Sequence, residues 1–211
     1  MNFYKNYGKR AIGFFISALA LLIIWPLLLI IAIIVKLDSK GPAVFVQDRL
    51  TLGGRVFKMY KFRTMVVNAE KQGTGAYSFD KDPRITKAGN ILRKLSLDEL
   101  LQLVNILKGD MAFVGPRPIL TYHPCKYEDY TEEEKTVFTV RPGISGWAQV
   151  NGRNSVDWEE RFKLNEWYVQ HVSLWLDVKI IIMTIAQVFS RKEVVIQGET
   201  AKNFKEKHKE N

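Results

Sequence analysis

Two neighbouring carboxylates, Asp98 and Glu99, are the residues of this sequence best suited to chemistry. They follow Ser96, and a serine followed three positions later by a glutamate is the pattern of a capping box at a helix start. The same position has a functional interpretation, because the free N–H groups of a helix start favour an ionised carboxylate and bind phosphoryl groups. Paired carboxylates also suit Mg²⁺, which prefers oxygen ligands and bridges to substrate phosphates. Taken alone, the pattern favours the cap, and the catalytic interpretation stays open.

Cations that could bind phosphate occur in three further segments. Arg117 lies between the two prolines of Gly115–Pro118, and a guanidinium on such stiff backbone is preorganised for bidentate phosphate binding. Lys61 and Arg63 share one face of a predicted strand, since alternate residues of a strand point the same way. The structural alternatives are a rigid surface turn for Arg117 and an exposed strand end for the other two. Arg93, taken singly, is a weaker candidate.

The elements that must position these residues begin with a hairpin. Residues 43–50 and 55–64 are predicted strands, joined across Gly53-Gly54. Residues 68–82 are predicted to form a loop, and a loop of that length in a compact domain is often a functional lid. Further along, residues 141–143 are predicted to form a turn.

Two helices are predicted on either side of Leu95, over 87–94 and 96–109. The apolar residues of the second helix recur at helical spacing. Its opposite face carries Asp98, Gln102 and Asn105. We therefore expect the carboxylate pair to open onto a cleft.

Two aromatic helices are predicted over 158–172 and 174–189. The apolar run of the second is too short to cross a bilayer and is bracketed by Lys179 and Arg191. We expect this helix to lie in the core or in the membrane interface. The polar residues after Gly198 are predicted to be disordered.

A long uncharged segment, Ala11–Val35, is predicted to anchor the chain in a membrane, since a helix of that length can cross the hydrocarbon core. Pro26 lies in its middle and favours a kink. Basic residues flank both ends, so the positive-inside tendency gives no clear orientation. These features alone favour a spanning helix over a segment that returns to the side it entered.

The composition fits one domain plus an anchor, because the chain has 211 residues. Its net charge of +9 indicates a partner with phosphates, either a small molecule, a nucleic acid or an anionic membrane. A membrane-tethered module that binds nucleic acid is a rival interpretation. It ranks lower because the cations are dispersed among rigid turns instead of interleaved with aromatic residues along one surface. A catalytically inactive scaffold ranks lower still, since both carboxylates are present.

The order of the motifs resembles that of the bacterial sugar transferase family of monotopic phosphoglycosyl transferases, in its minimal form. The resemblance covers nearly everything except the tail. One departure is Leu101, where the family often has proline, and we expect it to alter only helix packing. The matching stretches are 41–45, 61–65, 82–86, 92–100, 105–111, 114–118, 142–146 and 149–153.

The resemblance implies a mechanism as well as a family. Asp98 would attack the β-phosphate of a UDP-sugar, release UMP and carry the phosphosugar until polyprenyl phosphate, usually undecaprenyl phosphate, accepts it. Mg²⁺ would be required, with Asp98 and Glu99 as the metal residues and the family's metal-binding role assigned to Glu99. Lys61, Arg63, Arg93 and Arg117 would offset the charge of the diphosphate.

The resemblance also implies where the protein lies. Its first helix would enter and leave the bacterial cytoplasmic membrane on the cytosolic face, broken at Pro26, which reverses the preference for a spanning helix. We therefore expect a re-entrant anchor over 1–40, a catalytic domain of α/β type over 41–197 with short strands and amphipathic interfacial helices, and a polar tail over 198–211. The expected partners are the UDP-sugar, the lipid phosphate, the membrane and other glycan-assembly enzymes, but no nucleic acid.

Overall fold

A computed structural model of the chain describes residues 3–72, 82–152 and 156–189. Most of the predicted lid loop and the whole tail over 198–211 lie outside these ranges. After a π-helical turn over Tyr4–Gly8, the helices within them are α1 Lys9–Asp38, α2 Lys87–Lys94, α3 Gln102–Lys108, α4 Glu132–Lys135, α5 Trp147–Asn151, α6 Trp158–Gln170 and α7 Leu174–Phe189. The strands are β1 Val44–Leu50, β2 Val56–Phe62, β3 Ala112–Val114 and β4 Gly143–Ser145.

The predicted hairpin is confirmed. Strands β1 and β2 pair antiparallel, with Phe45 opposite Lys61 and Arg49 opposite Phe57. Gly53, in the turn between them, has a φ of 66°, a left-handed conformation that glycine adopts without strain. Phe57 and Met59 on one face of β2 are buried, and the same face continues to Lys61. The period of two therefore brings a cation to the end of an apolar face, as the sequence predicted.

The second sheet is a short parallel pair, β3 with β4. The predicted turn at 141–143 is wrong at Gly143, which begins β4. The N–H of Gly115 donates to the carbonyl of Ser145 at 2.8 Å and extends this pairing beyond β3. A side chain at Gly115 would overlap the carbonyl oxygen of Arg141, so only glycine allows the two segments this close. The pairing fixes the start of the segment that carries Arg117.

Helix α2 is confirmed at its predicted bounds. Thr86 caps it, accepting a hydrogen bond from the N–H of Gly89 at 3.0 Å. The N–H of Thr86 also donates to the carbonyl of Thr64 at 3.0 Å. A Cβ at Gly89 would overlap the same carbonyl. These contacts dock α2 against the chain just beyond β2.

The predicted helix over 96–109 is wrong in its first turns. Ser96 has a φ of 55°, and its side chain makes no capping hydrogen bond. Leu97–Glu99 forms a separate 3₁₀ turn, and α3 begins only at Gln102. Ser96, in its left-handed conformation, lies between the end of α2 and this turn. The capping box is therefore absent, and Glu99 has another partner.

The expected polar face of this helix is also wrong, because its two amides are buried. Gln102 is 2% exposed and Asn105 is 0% exposed. The side-chain nitrogen of Asn105 donates to the carbonyl of Lys58 at 2.7 Å, and its oxygen accepts from the N–H of Tyr60 at 3.0 Å. The amide completes the hydrogen bonding of a strand edge, which explains a polar group at the centre of the core. Asn105 thus positions α3 against β2.

Helix α1 packs along the globular domain over most of its length. Leu21 and Ile24 contact the cluster that includes Phe57 and Met59, and Ile31 packs against Phe62. Many of its other apolar side chains are exposed, among them Phe15, Leu19, Leu22, Ile23, Trp25, Leu29, Ile30 and Leu37. In the described part of the chain, this is the one helix long and apolar enough to cross a membrane.

The expected break at Pro26 is not present in the secondary structure. Lys9–Asp38 is assigned as one α-helix that contains Pro26. Proline removes one backbone donor, but the surrounding turns keep their own hydrogen bonds and the apolar packing continues on both sides. The re-entrant path stays a prediction.

The two aromatic helices are confirmed, and α7 is amphipathic. Tyr168 on α6 and Ile180 on α7 are fully buried. The opposite face of α7 is apolar and exposed at Leu174, Trp175, Val178, Ile181, Ile182 and Ile185. Such a stripe suits a helix that lies in a membrane interface, which is one of the two locations expected from the sequence.

Candidate active site

The centre of the site is the 3₁₀ turn Leu97–Glu99, which lies between α2 and β2. Lys61 donates from Nζ to Oε1 of Glu99 at 2.7 Å, and a terminal nitrogen of Arg117 lies 3.6 Å from the same oxygen. The side chains of Lys61 and Glu99 are only 16% and 21% exposed. Burial alone would raise the pKa of Glu99, but Lys61 and Arg117 lower it to about 2. Glu99 is therefore a fixed anion.

Asp98 has a different environment from its neighbour. Burial raises the pKa of its carboxyl group; the charges of Lys61 and Arg93 oppose this rise, and that of Glu99 adds to it. Asp98 is half-buried in the turn. Two adjacent carboxylates thus differ in chemical character, one neutralised by an ion pair and one less strongly stabilised as an anion. Asp98 is therefore the better candidate for a nucleophile.

Lys61 reaches the turn from the end of β2. Burial lowers the pKa of its ammonium group, Glu99 raises it, Arg117 lowers it, and Asp98 raises it. The lysine thus lies between both carboxylates and a second cation. Lys61 and Arg117, two of the predicted phosphate-binding candidates, therefore lie together with the carboxylate pair, and their binding of phosphate stays a prediction.

Arg117 is held where the second sheet ends. Its neighbour Pro116 accepts a hydrogen bond from the N–H of Gly143 at 2.9 Å, and the carbonyl of Pro118 accepts one from Arg49 at 2.8 Å. The Arg117 side chain itself is 47% exposed. Backbone bonds on both sides of the residue leave its guanidinium open to a ligand in front of Glu99.

Arg49 is a site residue that the sequence analysis missed. Its Nε donates to Oε1 of Gln47 at 3.0 Å, while another nitrogen binds Pro118. Burial and the charge of Arg117 lower the pKa of Arg49 to about 10. The signal was present in the hairpin register, because residues paired across an antiparallel hairpin share a face and Arg49 pairs with Phe57, on the Lys61 face.

Arg93 reaches the site from α2. Its Nε donates to Oγ1 of Thr64 at 2.8 Å, and its charge lowers the pKa of Asp98. The docking of α2 on Thr64 therefore positions this cation. Arg93 thus acts electrostatically on Asp98, and its predicted binding of phosphate stays a prediction.

Arg63 has a different role from the one predicted. It is 5% exposed, and its guanidinium donates to the carbonyls of Ser39 at 2.7 Å, of Val35 at 3.3 Å and of Lys40. These are the carbonyls at the C-terminal end of α1, which lack partners within the helix. Its contacts assign it to the capping of α1 and not to phosphate binding.

Comparison with known proteins gives the family. The bacterial sugar transferase profile matches residues 4–191. The chain belongs to the bacterial sugar transferase family. It is 46% identical over 156 residues to the uncharacterized sugar transferase EpsL of Bacillus subtilis (strain 168), covering 74% of each chain.

Other relatives of this bacterial sugar transferase are longer proteins. It is 41% identical over 189 residues to the UDP-glucose:undecaprenyl-phosphate glucose-1-phosphate transferase of Escherichia coli (strain K12), covering 87% of this chain and 40% of that one. It is 39% identical over 189 residues to the UDP-N-acetylgalactosamine-undecaprenyl-phosphate N-acetylgalactosaminephosphotransferase of Aeromonas hydrophila, covering 86% and 44%. The chain thus spans about three quarters of EpsL and less than half of these two relatives.

The donor set of the site fits a magnesium ion that is shared with a substrate. Among the described residues, no group of three or more His, Cys, Asp and Glu side chains could hold a metal alone. Mg²⁺ in proteins is commonly bound by one or two carboxylates, with water and substrate phosphates completing its six ligands. Both cations that contact Glu99 do so at Oε1. Oε2 of Glu99 and the carboxylate of Asp98 are the oxygens suited to such an ion.

Proposed function

We propose that this bacterial sugar transferase transfers a phosphosugar from a UDP-sugar to undecaprenyl phosphate and releases UMP, the step that starts assembly of a surface glycan. The names of the relatives from Escherichia coli and Aeromonas hydrophila support the two substrates. Those names differ in the sugar, so the proposal leaves the sugar open. The observation that carries the proposal is a half-buried Asp98 in the field of Lys61 and Arg93, next to an ion-paired Glu99.

In the proposed first step, a carboxylate oxygen of Asp98 attacks the β-phosphorus of the UDP-sugar. The bond between that phosphorus and the bridging oxygen breaks, and UMP leaves with the electron pair. In the second step, an oxygen of undecaprenyl phosphate attacks the same phosphorus, and the carboxylate of Asp98 leaves. The product is undecaprenyl diphosphosugar. A carboxylate nucleophile divides one difficult transfer into two easier ones.

The cations of the site would stabilise the charge of this reaction. A UDP-sugar brings a diphosphate, and the transferred phosphoryl group keeps its negative charge through both steps. Lys61, Arg93 and Arg117 approach the carboxylates from β2, α2 and the Gly115–Pro118 segment. Groups fixed in advance stabilise a transition state without reorganisation. Glu99 would help to hold a Mg²⁺ ion, whose charge would further neutralise the leaving UMP.

The contacts of α1 support a location on one face of the membrane. At its start, Lys9 binds Asp177 of α7, and Arg10 donates to the carbonyl of Ile106 at 2.7 Å. At its end, Asp38 accepts from the N–H of Ala88 at 3.0 Å. Polar contacts at both ends with one globular domain disfavour a crossing, because that domain would have to enter the hydrocarbon. We therefore infer a re-entrant or interfacial anchor in the cytoplasmic membrane, on the cytosolic face where nucleotide sugars occur.

The covalent intermediate gives the decisive experiment. Enzyme with UDP-sugar and Mg²⁺ but without lipid should release about one UMP per active site, as a burst from a covalent intermediate. Mass spectrometry should locate a phosphosugar on Asp98, and hydroxylamine should remove this acyl phosphate. Asp98→Asn should abolish the adduct. Asp48→Asn is a matched control, since Asp48 is an exposed carboxylate of β1 that pairs with the exposed Lys58.

Two outcomes would contradict parts of the proposal. An adduct that persists in Asp98→Asn would refute the nucleophile. UMP release only in the presence of undecaprenyl phosphate would replace the covalent route with direct displacement in a ternary complex. A panel of UDP-sugars scored for UMP release would then identify the donor in either case.

A further inference from the structure

A second basic site lies away from the carboxylate pair, at the start of α1. A cavity of about 230 Å³ is lined there by Lys5, Lys9, Arg10 and Arg141. Tyr7 and Leu52 add an aromatic and an aliphatic surface. In the described part of the chain no Asp or Glu lines this cavity. Its volume exceeds that of a single water molecule, about 30 Å³, several-fold.

The cations of this cavity are held close together by the fold. Arg10 donates to the carbonyl of Ile106 at 2.7 Å and to that of Leu107 at 2.9 Å, and Arg141 donates from Nε to the carbonyl of Gly109 at 2.8 Å. Both guanidinium groups thus bind the C-terminal end of α3. A capping role explains those bonds, but it does not explain why two like charges converge there.

Arg141 has binding capacity left over. Its described hydrogen bond to Gly109 uses Nε and not the two terminal nitrogens, and the residue lines the cavity. Burial and the charges of Arg10 and Arg55 lower the pKa of Arg141, with Asp110 opposing them. Three guanidinium groups near one carboxylate are a surplus of positive charge. A bound anion would reduce the repulsion among these guanidinium groups. It would also accept paired hydrogen bonds from the planar guanidinium of Arg141.

The position of the cavity indicates which kind of anion it would bind. Gly13 also lines it, and the exposed apolar side chains of α1 begin with Ile12, Phe14 and Phe15. In a chain anchored by α1, the cavity therefore lies at the boundary between hydrocarbon and headgroups. Anionic lipid headgroups concentrate at that boundary and attract Lys and Arg side chains.

We propose that this cavity binds the phosphate of an anionic membrane lipid, and that Arg141 supplies the principal recognition. The site is separate from the carboxylate pair, and its function is to fix the start of α1 at the headgroup layer. A lipid phosphate would contact the terminal nitrogens of Arg141. It would also contact the ammonium group of Lys5, which donates in addition to the carbonyl of Val169 at 3.2 Å.

The binding test uses the full chain in an uncharged detergent, without UDP-sugar or polyprenyl phosphate, so its result is independent of the proposed activity. The probes are dioctanoyl phosphatidylglycerol, zwitterionic dioctanoyl phosphatidylcholine and inorganic phosphate. Phosphatidylglycerol should raise the unfolding midpoint in a saturable way, and phosphatidylcholine should not. Arg141→Gln should raise the dissociation constant for phosphatidylglycerol about tenfold, which is the effect of losing a charged hydrogen bond. Lys163→Gln, which removes an exposed cation of α6, should bind as the wild type does.

Hydrogen exchange of the wild-type protein gives a measurement that needs no variant. Phosphatidylglycerol should slow exchange in peptides covering 105–115 and 137–143, and phosphatidylcholine should not. If inorganic phosphate binds and Arg141→Gln weakens that binding equally, the cavity is an anion site whose ligand is free phosphate and not a lipid. Equal binding of the two lipids, or equal affinity of Arg141→Gln and wild type, would overturn the proposal. So would the absence of protection in both peptides.

Discussion

Replacing Lys61 with Met should destabilise the protein by isolating a buried charge. The Lys61 ammonium group lies 2.7 Å from Glu99, and both side chains are largely buried. Methionine has a similar length and would extend the apolar face of Phe57 and Met59. Glu99 would then face only Arg117, at 3.6 Å. A buried carboxylate without its close partner is costly.

The size of the effect follows from the pKa of Glu99. The difference between its ordinary value of 4.5 and about 2 corresponds to about 3 kcal/mol of stabilisation. Lys61 and Arg117 share that stabilisation, so Lys61→Met should cost roughly 2 to 3 kcal/mol at neutral pH. Because the folded-state pKa is depressed, this stabilisation is fully present above pH 4.5 and is lost as the pH falls toward 2. The difference in unfolding free energy between wild type and Lys61→Met should therefore become smaller below pH 4.5.

Thermal unfolding in detergent, monitored by circular dichroism, measures this difference in stability. A loss of 2 to 3 kcal/mol should lower the midpoint by about 4 to 12 °C in a domain of this size. Lys61→Met with Glu99→Gln should recover most of the loss, since no isolated charge remains. Lys58→Met is the control, because Lys58 is 67% exposed and its pair with Asp48 is worth less than about 1 kcal/mol. A Lys61→Met protein as stable as wild type at pH 7 would refute the reasoning, as would a gap independent of pH.

Three further predictions concern the site and the anchor. Because the pKa of Asp98 is raised, the rate of adduct formation should begin to fall at a pH above the ordinary range of Asp. Glu99→Gln should move this fall to lower pH in any adduct that the variant still forms, because the charge of Glu99 raises the pKa of Asp98. An unchanged pH dependence would contradict this interaction. Arg117→Lys should lose most kcat/KM without loss of folding, because a point charge cannot replace the planar fork, and near-normal kinetics would return Arg117 to a structural role. In a Cys125→Ser background, cysteines at Asn2 and Ser39 should both resist a membrane-impermeant thiol reagent in intact cells, and labelling of the first alone would restore a spanning helix.

Local sequence signals predicted the elements whose structure depends on local interactions. The hairpin followed from alternation and a glycine turn, and the short helix predicted over 87–94 is α2. The late aromatic helices were predicted within two residues of their ends. Small elements such as α4 and the pairing of β3 with β4 were missed, since a three-residue strand is defined by its distant partner and not by its own sequence.

The site was predicted in composition but not in geometry. The spacing of Ser96 and Glu99 fits a capping box, yet a tertiary ion pair with Lys61 and a left-handed Ser96 replaced it. The alternation that correctly placed Lys61 also suggested Arg63 as a phosphate ligand, but Arg63 lies beyond the last strand pair and caps α1. Such contacts depend on where another element ends, which no local pattern specifies.

One consequence of the fold joins the anchor to the chemistry. Lys61 and Arg63 are two residues apart, which is about 7 Å along an extended chain. The first binds the carboxylate Glu99, and the second caps the C-terminal end of α1 at Ser39. The same end of β2 therefore links the turn that carries Asp98 and Glu99 to the end of α1. In the proposed reaction with a lipid phosphate as acceptor, this link would hold Asp98 at a constant distance from the end of the proposed anchor.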